Sequence, residues 1–246
     1  MTTVDILIVG GGMAGFSLAA GLAPHARVLL IEQEDQPGYH ASGRSVAFWE
    51  ESYGGPGVQP LTSASGPILR APDPDLAEHS LLQPRGAMHI GHDGDRPLRD
   101  AMLADFAASG MALHGIERAE ILAELPGLRA DWTIGVAEPS CCDIDAAGLL
   151  AAYRRQARRG GAQVRLSTRL EAAVREGDGW RVEAGAETIR CDVIVNAAGA
   201  WADDVAGRCG VSRARQARRA GEGGRGVLHR QAFLRCAQGA RSSLGT

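Results

Sequence analysis

Apart from Asp5, residues 4–9 (VDILIV) are an unbroken β-branched and aliphatic run. A strand exposed on one face would alternate, so this pattern predicts a parallel strand buried on both faces. Gly10, Gly12 and Gly15 follow at G-x-G-x-x-G spacing and lead into an uncharged, helix-compatible stretch. A second apolar run at 28–31 (VLLI) ends on Glu32. The pattern predicts strand, glycine turn, helix and strand, with a carboxylate at the tip of the second strand.

Further along, the pattern is less regular. Residues 36–53 (QPGYHASGRSVAFWEESY) start as a Pro- and Gly-containing loop and become helix-compatible from Arg44. Residues 61–82 are punctuated by Pro and Ser and predict at most short helices. Residues 87–90 (AMHI) read as a strand, 97–109 and 117–125 as helices, the second stopped by Pro126-Gly127. Residues 145–159 predict a helix capped by Asp143 or Asp145, with arginines at the end where the dipole favours cations. Short strands at 164–166, 170–175, 180–184 and 187–190, joined by Gly turns, predict a meander. A separate buried strand is expected at 192–196 (DVIVN), followed by Ala197-Ala198-Gly199-Ala200.

The fold class this predicts is α/β: a Rossmann-like domain with a parallel sheet and a β-meander, plus part of an α+β substrate domain. The expected division is 1–85 with 146–211 for the cofactor domain, and 86–145 for the partial substrate domain. A 45% hydrophobic content in 246 residues is ample for such cores. The five cysteines have no C-x-x-C spacing, which favours free thiols in a reducing, cytoplasmic setting. Residues 6–23 carry no charge but lack a basic leader, and their glycines suit a buried turn rather than a signal or membrane segment. From Ser212 the composition changes. Arg, Gly and Ala supply 20 of 35 residues, with eight arginines against one acid, about +7. That stretch reads as a solvated basic tail or, more readily, as a lost reading frame near Val211. The acidic remainder gives no sign of a nucleic-acid partner.

Each glycine of the turn has a chemical reason. The first permits the tight turn, the second lets backbone approach a pyrophosphate, and the third lets the helix pack on the strand. The helix then presents free N–H groups and its positive dipole end to the phosphates. Glu32 is placed to accept hydrogen bonds from both ribose hydroxyls, which disfavours a 2′-phosphate and leaves FAD or NAD. The seven histidines show no metal-ligand spacing, so no metal is expected.

Three segments in order, VGGGMAGFSLAAGL with Glu32, PGYHASGRS at 37–45 and VNAAGAWAD at 195–203, resemble the FAD-dependent amino acid and amine oxidoreductases of the D-amino acid oxidase type, bacterial D-arginine dehydrogenases in particular. The resemblance spans residues 1–211. It implies FAD as cofactor, with Gly10, Gly12, Met13, Ala14 and Gly15 at the pyrophosphate and Glu32 and Gln33 at the adenosine ribose. Ala41, Ser42, Gly43, Arg44, Ser45, Val46, Ala47 and Phe48 would lie along the pyrophosphate and flavin, Val174 beside the adenine, and Ala198 and Gly199 would close the site.

On the substrate side the resemblance points to Phe48, which stands where the D-arginine enzymes have a histidine, and to Tyr53, which matches a lid-loop tyrosine. Ala87 replaces a glutamate that holds the basic side chain, so a smaller or apolar amino acid is expected over arginine. The implied reaction removes hydride from a carbon bearing nitrogen, and water hydrolyses the imine to a 2-oxo acid and ammonia. The expected partner is a small-molecule substrate, an amino acid or amine. The electron acceptor is unassigned, and neither nucleic acid nor an integral membrane segment is expected. Two other readings stay open: an inactive flavin-binding fragment, since the family's later substrate sheet, carboxylate-binding arginine and flavin cover are not found after Val211, and an NAD-linked dehydrogenase, which leaves PGYHASGRS unexplained.

Overall fold

The computed structural model describes residues 1–211 and the backbone of residues 231–232. The expectations for residues 212–230 and 233–246 lie outside the described residues. In chain order the elements are β1 (Thr2–Val9), α1 (Met13–Leu22), β2 (Val28–Ile31), α2 (Ala41–Arg44), β3 (Phe48–Trp49), α3 (Gln59–Arg70), β4 (Leu82–Pro84), β5 (Ala87–Gly91), α4 (Arg96–Phe106), β6 (His114–Glu117), α5 (Arg118–Glu124), β7 (Ile134–Glu138) and β8 (Cys142–Ile144). They continue with α6 (Ala146–Arg159), β9 (Gln163–Arg165), β10 (Leu170–Glu176), β11 (Gly179–Ala184), β12 (Glu187–Asn196), α7 (Ala202–Arg208) and β13 (Gln231–Ala232).

These elements fall into two units, the first holding, among the described residues, Met1–Val46, Pro72–Leu81 and residues 145–211, the second Ala47–Ala71 and Leu82–Ile144 with β13. This division differs from the expected one at 85/86. The reason is strand pairing: β8 takes β3 on one side (Phe48↔Asp143) and β4 on the other (Leu82↔Ile144), which draws residues 47–71 and 82–85 into the second unit.

The first unit is built on a six-stranded sheet in the order β10-β11-β12-β1-β2-β9. β1 pairs in parallel with β2 and with β12, and its apolar run explains why: it packs on both faces. Leu7 and Val9 face a core shared with Leu29, Val182, Ile189 and Val205. Ile8 faces the opposite core with Phe16, Ala19, Leu30, Leu150 and Ala157, where α1 and α6 lie. Asp145 caps α6, its Oδ1 accepting from the Gly148 amide at 2.7 Å. The expected strands 187–190 and 192–196 are one element. β12 pairs antiparallel with β11 through Cys191 and parallel with β1 through Asn196, so a single ten-residue strand joins the meander to the parallel sheet.

In the second unit β13-β5-β7-β6 form one sheet and β3-β8-β4 another. The helix expected from Arg44 onward is absent. Phe48 and Trp49 are a short strand, and Trp49 is buried. The expected short helices near 61–82 include the twelve-residue α3, which tolerates Pro67 inside it. Gly66 lets α3 approach the Trp49 ring, whose Nε1 donates to Thr62 O at 2.9 Å and Ser65 Oγ at 3.0 Å. That packing outweighs the breaker signal of the sequence.

Candidate functional site

A cavity of about 550 Å³ opens where β1, β2 and β12 end at their C-terminal tips. That is where open parallel sheets bind cofactors. Gly10 has φ +118°, and a Cβ there would stand 2.4 Å from Ala197 O, so only glycine lets the turn pass under the end of β12. A Cβ on Gly15 would stand 1.9 Å from Gly10 O, so the third glycine sets how closely α1 lies against the turn. The turn is tied from three sides: Gly10 N donates to Ile31 O at 2.9 Å, Ala197 N to Val9 O at 2.9 Å, and Gly38 N to Gly11 O at 3.0 Å.

Glu32 is tied into the backbone of the turn. Its Oε2 accepts from the Gly11 amide at 2.6 Å and its Oε1 from the Glu34 amide at 3.0 Å. The carboxylate thus holds the glycine turn, and each oxygen keeps a second lone pair for a ligand hydroxyl. Ser42 reaches the start of α1, its Oγ accepting from the Met13 amide at 3.0 Å, one of the amides that has no partner inside the helix. Asn196 fixes the far side: its Nδ2 donates to Ala202 O at 2.7 Å, and its Oδ1 accepts from Ala198 N at 3.2 Å.

Of the expected cofactor residues, Gly10, Gly12, Met13, Ala14, Glu32, Gln33, Ala41, Ser42, Ala198 and Gly199 line this cavity. Gly15 supports it from beneath the turn. Gly43, Arg44, Ser45 and Val46 are exposed and are not on its wall; Arg44 Nε donates to Tyr39 O at 2.9 Å, and its guanidinium lies 4.9 Å from the Tyr39 ring. Val174, on β10, is 50% exposed and also off the wall. Ala47, Phe48 and Tyr53 belong to the second unit. There Phe48 packs under the Arg85 guanidinium at 4.6 Å, and Tyr53 is 66% exposed.

Among the wall residues that sequence reasoning missed are the three rings of Tyr39, His40 and Trp201. The His40 ring lies 4.3 Å from the Trp201 ring and edge-on to Tyr39, and its Nε2 sits 2.9 Å from Glu34 Oε1. The available signals were the aromatic at 201, just past the small residues 197–200, and the Tyr39-His40 pair inside PGYHASGRS. In the second unit, burial pushes the Glu138 carboxyl up from its usual range, and its β7 position is directly opposite Ala87 on β5.

A family model described as FAD dependent oxidoreductase matches residues 5–223. The chain belongs to this family, the DAO family. The family's cofactor is FAD, and the cavity fits it: a glycine cradle that a Cβ would fill, and a carboxylate at the tip of β2. The curated glycerol-3-phosphate dehydrogenase of Mycobacterium leprae (strain TN) is 31% identical over 225 residues, 82% of this chain and 37% of that protein. The DAO-family chain therefore spans well under half the length of that relative. Glycine oxidase from Geobacillus kaustophilus superposes with a TM-score of 0.75 at 22% identity, over 86% of this chain and 60% of the other. L-alpha-Glycerophosphate oxidase from Mycoplasma pneumoniae, solved with FAD bound, gives 0.74 at 17% identity, over 85% and 58%. These two likenesses establish the fold. No helix among the described residues is long and apolar enough to cross a membrane.

Proposed function

We propose that this DAO-family protein oxidises an amino acid or related amine at the carbon bearing nitrogen. The observation that carries the reading is local. Residues 38–42 of PGYHASGRS and 196–202 of VNAAGAWAD, the segments that resemble D-amino acid oxidoreductases, line one cavity and meet where His40 packs on Trp201. Bound FAD supplies the chemistry by accepting hydride from the substrate carbon. The chain binds and orients. The amides of Gly12 and of the first turn of α1 beyond Met13 would meet the pyrophosphate, Glu32 and Gln33 would meet the ribose, Ala198 and Gly199 would bring backbone against the cofactor, and the Tyr39-His40-Trp201 group would give it an aromatic wall. Phe48 and Tyr53 are the proposed substrate-side residues.

A second reading, oxidation of an alcohol carbon in a phosphorylated polyol, is favoured by the 31% identity to glycerol-3-phosphate dehydrogenase. The two separate in one assay. FAD-loaded protein with a dye acceptor is offered a panel of D- and L-amino acids and, in parallel, glycerol 3-phosphate. Turnover confined to amino acids supports the first reading, and turnover confined to the phosphate overturns it in favour of the second.

A further inference from the structure

Three residues far apart in the sequence converge inside the second unit. Glu50 follows β3, His89 lies in β5 and Glu138 ends β7; each offers one ligand atom, and these atoms lie within 4.8 Å of one another. β5 and β7 bring two of them together. Ala87 pairs with Glu138 and His89 with Val136, so His89 stands on the same face as Glu138, one pleat along. The Glu138 carboxylate holds the third in place, its Oε1 accepting from the Glu51 amide at 2.6 Å and the Ser52 amide at 3.4 Å.

The arrangement is not that of a satisfied polar cluster. Glu138 is 1% exposed, yet its Oε2 has no hydrogen-bond partner among the described residues. His89 Nε2 is also buried. It stands 3.0 Å from Glu50 Oε1, an ion-pair distance, but the geometry is not that of a hydrogen bond. Buried polar atoms left without a protein partner are places where a water or an ion is held. An imidazole nitrogen with two carboxylate oxygens is a donor set that zinc accepts, at about 2.0–2.2 Å from each atom. Two such ligands of a tetrahedral ion stand roughly 3.4 Å apart, so side-chain shifts of about 1 Å would close a 4.8 Å span.

We propose that Glu50, His89 and Glu138 form a binding site for a divalent ion of the zinc type, within the second unit and independent of the flavin reading. The imidazole selects against magnesium and calcium, which favour oxygen donors throughout. The Glu51 and Ser52 amides act behind the metal, fixing the Glu138 carboxylate so that one oxygen remains for the ion.

The test is a calorimetric titration of the chelator-treated, FAD-loaded full chain with Zn²⁺, with Mg²⁺ in parallel. One Zn²⁺ per chain and no Mg²⁺ is the expected result. Glu138→Gln and His89→Gln should each weaken binding about tenfold or more, while His92→Gln, outside the cluster, should leave it unchanged. Should the buried-site variants fail to fold, zinc-edge X-ray absorption of the unaltered protein decides, with one nitrogen and carboxylate oxygens in the shell expected. No saturable zinc binding, affinity indifferent to both variants, or a sulfur-containing shell would overturn the site.

Discussion

Replacing Glu32 by alanine tests two roles in one side chain. The carboxylate accepts from Gly11, whose backbone is buried, and from Glu34, which is partly solvated. A hydrogen bond to a charged group contributes about 1.5–3 kcal/mol, and a buried amide left alone loses the most. Glu32→Ala should therefore destabilise the apo-protein by about 2–4 kcal/mol, a sizeable share of the roughly 5–15 kcal/mol of a typical domain. Loss of the ribose contact should weaken FAD binding by roughly a further 1.5–3 kcal/mol, about 10- to 150-fold in Kd. Glu32→Gln separates the effects. Its amide oxygen can serve one of the two backbone N–H groups, but its NH₂ meets the other donor to donor, so an intermediate loss is expected. Thermal melts of the apo-protein and titration with FAD measure the two quantities separately. Lost stability with unchanged FAD affinity would make Glu32 a latch for the glycine turn alone and place the ribose elsewhere. No change in either would refute both roles.

Glycine substitutions in α1 should split sharply. Gly15→Ala forces a Cβ to 1.9 Å from Gly10 O and should cost about 3 kcal/mol or more together with FAD binding. Gly21→Ala, with nothing within 4 Å, should gain up to about 1 kcal/mol; equal melts for the two would mean α1 does not pack as described. Cys141, 0% exposed, has its thiol pushed up to about 12 from an ordinary 9.0, first by burial and then by Glu50 and Glu138. The unfolded thiol loses its proton near the ordinary value while the native one keeps it, so this group's contribution to stability should fall as pH rises from about 9 towards 12. Iodoacetamide at about pH 9, where an unfolded thiol ionises, should leave native Cys141 unlabelled by mass spectrometry, and rapid labelling there would contradict its burial.

What was legible in the sequence follows from how local each signal is. β1, α1 and β2 are contiguous, and each glycine answers a backbone requirement that can be stated without the fold, so the turn and Glu32 were found where the cavity lies. The hairpins joining β10, β11 and β12 and the Asp145 cap were equally local, whereas the strand at 164–166, expected in the meander, is β9, which pairs in parallel with β2 at the opposite edge of the sheet. β4, β6 and β8 are three or four residues long and too short to show a period, and β7 was missed with them. β12 was split in two because the charged Arg190 and Asp192 interrupt its apolar run, and only its two partners show it to be continuous. α3 was understated because Pro67 and its serines signal a break that the Trp49 contact overrides. The Tyr39-His40-Trp201 wall joins residues about 160 positions apart, and the Glu50-His89-Glu138 cluster joins three separate strands or their ends, so neither leaves a spacing to read.

Flavin binding by the first unit is tested most directly by stoichiometry. The purified chain, incubated with excess FAD and then desalted, should retain the flavin absorbance of one FAD per protein and lose it on Gly15→Ala. Protein that stays colourless with FAD yet binds NADH at micromolar concentration would contradict this, and would make the cavity at the ends of β1, β2 and β12 a nicotinamide site.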